Sequence, residues 1–489
     1  MDQSVVLPLY TAAQSRAADA RAISELGVTG FELMLRAGQY AFATLLQTWP
    51  GVRSITVLCG KGNNAGDGYV VAALARDFGI KVTLVQVGLA TSTADAAQAV
   101  VYANDQGLVA IPFTPAQLPA GDVIVDALLG TGQTGHLREP IAGAVDWINQ
   151  SGSPVLAMDL PTGLDADSGG PTGGAGGAVV RATVTTTFIT RKIGQFTGIG
   201  REVCGQLCFD SLGVPESLSG HGSPLLTILP PRPPLPLNTY KHQRGHVVVC
   251  GGDLNMGGAV ILAGEAAMRA GAGMVTVATR PEHRPAILAR RPELMVVDAA
   301  EVTALHALLQ RADCVVLGPG LGRERWGATC FDRVMSGTTA PVVLDADGLF
   351  HWQRAAKPPQ PAVITPHIAE AAGLLGQSPQ DVQANRTGSV RALVARTRAV
   401  AVLKGAGTLI ADEGRLSVCG AGNPGMATAG MGDVLSGVIA AHIAAGEPVY
   451  EATQHAVLAH ALAGDRAARR CGARAMLAGD VIDELKASS

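Results

Sequence analysis

Residues 419–437 read CGAGNPGMATAGMGDVLSG. Residues 423–425, Asn-Pro-Gly, predict a turn, because proline presets one backbone dihedral and glycine tolerates positive φ. Residues 430–433, Gly-Met-Gly-Asp, then lead into an apolar segment, 434–445, with the pattern of a helix. A glycine-rich loop that feeds a helix directs several backbone N–H groups at one point, which favours an anion and above all a phosphate.

Asp433 does not suit a site that only binds an anion, because its carboxylate would repel a phosphate. It fits if it accepts a proton from a hydroxyl while the N–H groups hold a phosphoryl group. The alternative is an ordinary helix start, since an acidic residue in the first turn is favourable with the helix dipole. The other motifs of the chain bear on this choice.

The composition is that of a folded protein of about two to four domains. Of 489 residues 47% are hydrophobic and 16% charged, with a net charge of −3. We expect no nucleic-acid partner, because there is no polybasic face, and no membrane span, because no run of about 18 residues stays apolar. The acidic start and the eight cysteines without a C-x-x-C pair predict a cytoplasmic protein with reduced thiols. Cys204 and Cys208 are spaced to share one side of a strand, but no second ligand pair follows them.

Apolar β-branched runs alternate with Ala-rich helical patterns, which predicts a parallel α/β architecture in both halves of the chain. In the first half we predict strands at 54–59, 81–87, 123–127, 154–159 and 182–187, with helices at 68–78, 93–106 and 139–150. In the second half we predict strands at 246–250, 274–279, 314–317, 342–345, 362–365, 399–404 and 408–412, with helices at 258–272, 434–445 and 449–470. Residues 213–245 contain seven prolines and read as a linker or an extended arm, so we place a domain boundary near Gly220.

Three polar loops follow strands in the first half, at the edge of a parallel sheet where ligands bind. Residues 60–68, GKGNNAGDG, have the context of a phosphate-binding loop, although a plain glycine-rich connection is the alternative. Asn64, Asp126 and Thr162 offer oxygen ligands for an alkali or alkaline-earth cation, whereas an isolated strand-end Asp is usually a helix cap. Lys192 is either a surface charge or a cation that faces bound phosphates.

Polar groups also follow the strands of the second half. Residues 318–322, GPGLG, come after one strand, Asp345 and Asp347 after the next, and residues 365–370, including His367 and Glu370, after a third. Residues 404–408, KGAGT, add an ammonium and N–H donors. Each alone is ordinary strand-end polarity, and His367 alone would more often be a packed or capping residue. Together with Gly432 and Asp433 they predict one cleft that handles phosphate.

The chain resembles a known family in both halves. GKGNNAGDG (60–68), VDALLGTG (125–132) and DLPTGLD (159–165) are similar to the metabolite-repair epimerases that act on hydrated nicotinamide dinucleotides. GPGLG (318–322), VVLDADGL (342–349), ITPHIAEAAGLLG (364–376), VLKGAGTLI (402–410) and GNPGMATAGMGDVLSG (422–437) resemble the dehydratase partner. The resemblance implies two three-layer α/β/α domains, a Rossmann-like epimerase domain at 1–219 and a ribokinase-like, ADP-dependent NAD(P)H-hydrate dehydratase domain at 220–489.

The first domain would interconvert the R and S epimers of NADHX and NADPHX, and the second would dehydrate the S epimer at the expense of ADP. The resemblance implies potassium in the first domain and magnesium in the second. It assigns the role of base to Asp433 and potassium binding to Asn64, Asp126 and Thr162, and we predict Asp159 and Lys192 as further catalytic residues. It assigns epimerase substrate binding to Asn63, Asn64, Ala65, Gly66, Asp67, Gly130, Thr131, Gly132, Gln133, Thr134, Gly135, His136 and Asp159. It assigns dehydratase substrate binding to Ala259, Gly320, Gly322, His367 and Asp433, and nucleotide binding to Lys404, Gly405, Ala406, Gly407, Thr408 and Gly432.

Three residues depart from the family pattern. Ala65 stands where a second glycine is usual and would add a methyl group near the phosphates. Thr162 replaces the commoner serine and keeps the hydroxyl, and Met431 replaces a small residue that precedes Gly432 and would crowd the nucleotide. We expect both domains to be active and an Ala- and Gly-rich surface to support a homo-oligomer. The alternatives are a ribokinase-like small-molecule kinase with a regulatory first domain, and a first domain that only binds its ligand.

Overall fold

The computed structural model describes residues 7–89, 93–231, 234–355 and 361–486, which form two compact units. The N-terminal unit comprises Pro8–Ser223 together with Gln383–Arg386. The C-terminal unit comprises Leu7 and the described parts of Pro224–Val382 and Thr387–Ser489. Both units are α/β, which confirms the predicted class. Among the described residues, no helix has the length and apolar character that crossing a bilayer requires.

The first part of the chain carries nine strands and six α-helices within the described ranges. The strands are β1 (Leu7–Tyr10), β2 (Ser54–Cys59), β3 (Lys81–Gln86), β4 (Ile111–Pro112), β5 (Val123–Ala127), β6 (Val155–Met158), β7 (Val184–Phe188), β8 (Arg191–Lys192) and β9 (Gln206–Asp210). The helices are α1 (Ala12–Leu26), α2 (Gly30–Thr48), α3 (Asn63–Asp77), α4 (Ala94–Asp105), α5 (Ile141–Gln150) and α6 (Gly200–Val203).

Seven of these strands form a parallel sheet in the order β4-β3-β2-β5-β6-β7-β9. Successive residues of a strand point to opposite faces of the sheet. Val57 and Val125 therefore pack with α2, α3 and α4 on one face, while Leu58 and Ile124 pack with α5 on the other. Helices therefore cover both faces of the sheet, which is the predicted three-layer arrangement. Because β2, β5 and β6 are neighbouring parallel strands, their carboxyl ends lie side by side.

The later part of the chain carries the remaining elements. The strands are β10 (Ser223–Leu226), β11 (His246–Cys250), β12 (Met274–Thr279), β13 (Met295–Asp298), β14 (Cys314–Leu317), β15 (Val342–Leu344), β16 (Val363–Ile364), β17 (Val400–Leu403), β18 (Leu409–Ala411) and β19 (Leu416–Cys419). The helices are α7 (Gly257–Arg269), α8 (Arg284–Arg290), α9 (Val302–Leu309), α10 (Arg325–Gly337), α11 (Asp347–Arg354), α12 (Ile368–Leu375), α13 (Pro379–Ala384), α14 (Arg386–Thr397), α15 (Met431–Ala444), α16 (Val449–Cys471) and α17 (Ala478–Leu485).

In the C-terminal unit the strands follow the order β13-β12-β11-β14-β15-β16-β17-β18-β19-β10. Neighbours from β13 to β17 are parallel, and β18 is antiparallel to both β17 and β19. Helix α15 is almost wholly buried and packs with α7, α16 and α17. Gly437 permits the contact with α7, because an added Cβ would lie 2.1 Å from the carbonyl oxygen of Ala263. This packing fixes the axis of the helix that begins at Met431.

One predicted loop is part of a helix. The helix expected at 68–78 begins at Asn63, so most of the GKGNNAGDG motif is helical. Its glycines serve close packing, because a Cβ on Gly66 would lie 2.3 Å from Met34 Sδ and one on Gly68 would lie 2.4 Å from Ala127 Cβ. The helix expected at 434–445 likewise begins earlier, at Met431.

Other differences concern elements that the sequence analysis did not predict. Helix α2 starts with a capping box between Thr29 and Glu32, a signal that the sequence does contain. Cys204 caps the end of α6 and does not share a strand with Cys208, which lies in β9. Strand β19 was not predicted, and the proline-rich arm contributes β10, which pairs in parallel with β19.

Candidate functional site

A cavity of about 460 Å³ opens at the carboxyl ends of the strands in the N-terminal unit. The loops after β2, β5 and β6 line it, together with residues of α1, α2 and α3. Nine residues that the sequence analysis selected share this lining: Asn63, Asn64, Asp67, Gly130, Thr131, Gly132, Gln133, Asp159 and Lys192.

Five other residues selected for epimerase substrate binding do not line this cavity: Ala65, Gly66, Thr134, Gly135 and His136. Ala65 is fully buried and belongs to the apolar core between α3 and the sheet. The expectation that its methyl group lies near the phosphates was therefore wrong, because the helical phase of α3 turns this position toward the core.

An ion pair between Asp159 and Lys192 lies in the cavity wall. Asp159 follows β6 with a φ of 62°, a conformation that few non-glycine residues adopt. Its carbonyl oxygen accepts a hydrogen bond from Gln195 Nε2 at 2.9 Å. Lys192 Nζ also donates to Thr187 Oγ1 at 2.9 Å and to the carbonyl oxygen of Phe188 at 3.3 Å. The ammonium is thus a buried, fully oriented group and is not a surface charge.

Asp19, which the sequence analysis missed, joins this cluster from α1. Burial raises the pKa of Asp19 to about 6, and the ammonium of Lys192 opposes the rise. Burial also raises the pKa of Asp67, and the charges of Asp159 and Asp19 add to the increase. The carboxyl groups of Asp19, Asp67 and Asp159 therefore all interact electrostatically with the Lys192 ammonium, in a cavity with room for a ligand. A signal for Asp19 exists in α1, where it lies four residues after the buried Ser15 on the same helical face.

Asp126 and Thr162 form the first part of the expected potassium site. The Asp126 side chain is fully buried in β5. Its Oδ2 accepts from the Thr162 backbone N–H at 2.8 Å, and its Oδ1 accepts from Thr162 Oγ1 at 2.8 Å and from Leu128 N–H at 3.2 Å. Burial raises the pKa of Asp126 to about 6, and these hydrogen bonds only partly oppose it.

Asn64 supplies the observation that tests the fit of a cation. Both polar atoms of its side chain are buried without a hydrogen-bond partner. Asn64 and Thr162 both contact the loop that follows β5. A Cβ added to Gly130 would lie 3.5 Å from Asn64 Oδ1, and Thr162 Oγ1 accepts from Leu129 N–H at 3.1 Å. An orphaned amide and a buried carboxylate together fit an alkali or alkaline-earth cation, for which oxygen ligands of this kind are suited.

In the C-terminal unit, charged groups follow the neighbouring parallel strands β15, β16 and β17. Lys404 Nζ lies 3.0 Å from Asp345 Oδ1 and 3.9 Å from Glu370 Oε2. Burial lowers the pKa of Lys404, but Asp345 and Glu370 outweigh it, so the pKa is raised. Asp345 is almost completely buried. The ammonium is therefore held charged at the sheet edge.

Asp433 lies in the first turn of α15, above this ion pair. Burial raises the pKa of Asp433 to about 7, the charge of Asp345 raises it further, and Lys404 opposes the rise. The preceding residue, Gly432, lies against the same groups, because an added Cβ would be 3.1 Å from Lys404 Nζ and 3.5 Å from Asp345 Oδ2. A helix start, an ammonium and a carboxyl group with a pKa near neutrality thus meet at one place, which suits proton removal beside a bound phosphate.

Met431 does not crowd this place. Its side chain is buried in the core beneath α15 and packs with that cluster. The expectation that it would lie against nucleotide phosphates was wrong, because the first residue of the helix points inward while Gly432 and Asp433 follow on the more open side.

The remaining selected residues lie on adjacent loops. Gly320 packs on Ala259, since an added Cβ would lie 3.2 Å from Ala259 Cβ, and Gly322 N–H donates to Asp347 Oδ2 at 3.0 Å. His367 is the N-cap of α12, where its Nδ1 accepts from two backbone N–H groups. Residues 405–408 form the tight turn between β17 and β18, closed by a hydrogen bond from Thr408 Oγ1 to the Gly405 carbonyl at 3.0 Å.

The acidic residues around Asp433 can supply only part of the ligand set of a magnesium ion. Among the described residues, the group of three His, Cys, Asp or Glu ligand atoms within 4.8 Å of one another lies elsewhere, at His442, Glu447 and His455. Asp345, Asp347 and Asp433 therefore do not form a cage. They suit an ion that takes one or two carboxylates from the protein and its other ligands from phosphates and water, as magnesium commonly does.

Comparisons with known proteins match both halves of the chain. The family model described as NAD(P)H-hydrate dehydratase matches residues 247–487, and the model described as YjeF-related protein N-terminus matches residues 30–194. The bifunctional NAD(P)H-hydrate repair enzyme Nnr of Coxiella burnetii is 44% identical over 489 residues, which cover 98% of each chain. The enzyme of the same name from Escherichia coli is 41% identical over 496 residues, 99% of this chain and 94% of the relative. An ADP/ATP-dependent NAD(P)H-hydrate dehydratase from Bacillus subtilis, co-crystallised with ATP/Mg2+, is 28% identical, covers 53% of this chain and 93% of its own, and has a TM-score of 0.48.

Proposed function

The chain belongs to the family of bifunctional NAD(P)H-hydrate repair enzymes, and we propose that it restores hydrated NADHX and NADPHX to the reduced dinucleotides. One activity interconverts the R and S epimers of the hydrate. The other dehydrates the S epimer at the expense of ADP. The N-terminal unit carries the epimerase, because it contains the segment matched by the YjeF-related model, and the C-terminal unit carries the dehydratase.

Epimerisation is assigned to Asp159 and Lys192. The dinucleotide occupies the cavity at the strand ends, with its hydrated ring beside the ion pair. Asp159 accepts the proton of the ring hydroxyl as the bond between the hydroxyl-bearing carbon and the ring nitrogen breaks, which gives an open-chain aldehyde and a nitrogen that takes up a proton. The nitrogen loses this proton as it re-adds to the opposite face of the aldehyde, and Asp159 returns its proton to the oxygen, whose developing charge the ammonium of Lys192 stabilises. Asp67 favours its protonated form, so it donates a hydrogen bond to the ligand and does not repel its phosphates.

Dehydration is assigned to Asp433. The N–H groups at the start of α15 and the Lys404 ammonium hold the phosphates of the nucleotide. Asp433 removes the proton of the ring hydroxyl, whose oxygen then takes the terminal phosphoryl group from ADP and releases AMP. The C–O bond breaks with loss of phosphate, a better leaving group than hydroxide, and loss of a ring proton forms the double bond of the dihydronicotinamide. A pKa near 7 suits Asp433 to this role, because a base is most effective when its pKa is close to the working pH.

Two ions complete the proposal. Asn64, Asp126 and Thr162 would hold potassium, which supplies the positive charge that the buried carboxylate otherwise lacks in its surroundings. Asp345 and Asp347 would contribute one or two oxygen ligands to magnesium, which would neutralise charge on the phosphates of the nucleotide, while Asp433 stays free to act as the base. In both places the chain provides oxygen ligands of the kind that these ions prefer.

The single observation that carries the dehydratase assignment is the position of Asp433 beside Lys404 and Asp345. The test incubates the full chain with S-NADHX, ADP and magnesium and follows the return of the NADH absorbance band. We expect the absorbance to return, and Asp433→Asn to slow it by about 10²–10⁴-fold, the range for loss of a general base. The matched control is Asp332→Asn, an exposed residue on α10 of the same unit.

Accumulation of a stable phosphorylated product with no NADH would contradict the proposal and favour the small-molecule kinase. A separate incubation with R-NADHX alone tests the epimerase, since it requires S-NADHX to appear without nucleotide. Failure of one reaction does not affect the other, so the two assignments are tested independently.

We also propose a cytoplasmic location and a homo-oligomer. The location is supported by eight free cysteines, which suit a reducing compartment. The oligomer is supported by exposed large apolar residues on the N-terminal unit, such as Phe78 and Val109. Light scattering on the purified chain tests the oligomer, and a monomer mass at micromolar concentration would contradict it.

A further inference from the structure

Two histidines and a glutamate meet at the junction of α15 and α16, a cluster that neither proposed reaction uses. His442 lies in the last turn of α15, Glu447 in the loop that follows it, and His455 in the second turn of α16. His442 Nδ1 lies 2.9 Å from Glu447 Oε1, and His455 Nδ1 lies 2.8 Å from Glu447 Oε2. The three ligand atoms all lie within 4.8 Å of one another.

The backbone holds this cluster in place. Gly446 adopts a φ of 88° and ends α15, and its N–H donates to the carbonyl of Ile443 at 2.9 Å. Glu447 N–H then donates back to the carbonyl of His442 at 3.3 Å, so the glutamate is turned toward the histidine on the preceding helix. His442 is 3% exposed and held by packing, whereas Glu447 and His455 are 27% and 32% exposed. One side of the cluster is therefore rigid and the other is open to solvent.

We propose that His442, Glu447 and His455 bind one divalent transition-metal ion of the zinc class, through the two Nδ1 atoms and the carboxylate. Two imidazoles and one carboxylate are a ligand set that zinc takes in proteins, and they leave a further coordination position for water. Metal–ligand bonds of about 2.0–2.2 Å put neighbouring ligands roughly 3.3–3.6 Å apart in a tetrahedral site. The ligand atoms are already within 4.8 Å, so the site closes by small side-chain movements.

The site is expected to act on stability and not on turnover. The ion would tie the carboxyl end of α15 to α16, whereas Asp433 lies at the opposite end of α15. A ligand that binds only the folded state stabilises it in proportion to its affinity and concentration. Metal binding at this cluster can therefore be tested independently of the dehydratase assignment.

The competing account is a purely structural hydrogen-bonded cluster, in which both imidazoles donate to the carboxylate without an ion. It also explains why the three side chains lie together, and it predicts no metal affinity above that of scattered surface histidines. The two accounts differ in stoichiometry, in the spectrum of a bound ion and in the effect of removing one ligand.

The experiment titrates Zn²⁺ into the chelator-treated full chain by calorimetry and follows Co²⁺ binding by its visible absorption. We expect one equivalent to bind and Co²⁺ to show the ligand-field bands of a four-coordinate site, which Zn²⁺ then displaces. His455→Ala and Glu447→Gln should weaken binding by at least the roughly 10- to 100-fold that loss of an outer-shell partner costs at other metal sites. His306→Ala, which removes an exposed histidine from α9, is the matched control and should bind as the unaltered chain does.

Absence of a one-equivalent step in the folded, unaltered chain would overturn the proposal, as would equal affinity in His455→Ala. The Co²⁺ spectrum is measured on the unaltered chain, so the proposal stays testable if either variant fails to fold. A spectrum of six-coordinate Co²⁺ with no displacement by Zn²⁺ would also overturn it.

Discussion

The side chain of Lys192 is 1% exposed, while that of Asp159, with which it forms an ion pair, is 16% exposed. The pair therefore has a buried member and a member that faces the cavity. Asp159 reaches this position from a left-handed backbone conformation at the end of β6, and such strain persists where the surrounding structure requires it. The asymmetry suits a pair in which the lysine fixes the charge and the aspartate meets the ligand.

Asp159→Asn should abolish consumption of the R epimer and leave dehydration of the S epimer intact. The amide keeps the shape of the side chain but cannot accept the hydroxyl proton, so we expect a fall of about 10²–10⁴-fold in the epimerase rate. Separate assays with pure R- and S-NADHX measure the two activities. Asp146→Asn, on the exposed side of α5, is the control, and a thermal melt checks that both variants fold. Unaltered R-epimer consumption would instead support a first domain that only binds its ligand.

The dehydratase should lose activity as the pH falls below about 7. Asp433 must be ionised to accept a proton, and its pKa is raised to about 7, so kcat/KM should fall roughly tenfold for each pH unit below that value. Asp345→Asn removes a negative charge that raises this pKa, and the acid limb should therefore move to lower pH. Asp332→Asn should leave it in place. The phosphates of the substrates titrate equally with all three proteins, so a shift of the acid limb between the variants reports the pKa of Asp433. An acid limb at the same pH in Asp345→Asn as in the unaltered chain would contradict the assignment of Asp433 as the base.

Potassium should stabilise the protein at pH 8 and have little effect at pH 5. The pKa of Asp126 is about 6 in the folded chain, above its ordinary value near 4, so the folded state holds the proton more tightly. The free energy of unfolding therefore falls as the pH rises from about 4 to 6, and a bound cation offsets the loss once the carboxylate is ionised. We expect Tm to rise by about 2–4 °C for each kcal/mol gained when potassium replaces tetramethylammonium at pH 8.

Asp126→Asn should remove this dependence on potassium, because the neutral amide no longer needs a counter-charge. Asp146→Asn is again the control and should keep the full response. An equal rise in Tm at pH 5 and pH 8, or in the Asp126→Asn protein, would show that the salt acts elsewhere.

Gly432→Ala should weaken nucleotide binding without destabilising the fold. The new methyl group would lie 3.1 Å from Lys404 Nζ, so the ammonium must move from the place where it meets the phosphates. If this displacement costs about 1–3 kcal/mol, the KM for ADP rises roughly 5- to 150-fold. Gly479→Ala, on α17 with open space around the new methyl group, is the matched control, and it should leave KM unchanged. A KM that is the same in both variants would separate Gly432 from the nucleotide site.

The fold was largely predictable because its signals are local. Strands β2, β5, β11, β12 and β14 begin and end where the sequence predicted, since each is a continuous apolar run bounded by polar residues. The candidate loops follow from the same pattern, because the carboxyl ends of parallel strands meet at one edge. The errors arose where glycines inside a helix were interpreted as a loop, at residues 63–68, and where helical phase decided the direction of Ala65 and Met431.

The sequence by itself determined the two α/β halves, the family motifs and the residues at the strand ends. Only the tertiary structure decided which charged groups interact. Asp19 interacts electrostatically with Lys192, 173 positions away in the sequence, and Asp345 accepts a hydrogen bond from Lys404, 59 positions away. It also brought His442 and His455 onto one carboxylate. Burial and Coulomb interactions depend on distance in space, and distance along the chain does not report it, so the pKa of Asp433 and the charge state of Lys404 appear only when the strands and helices are packed.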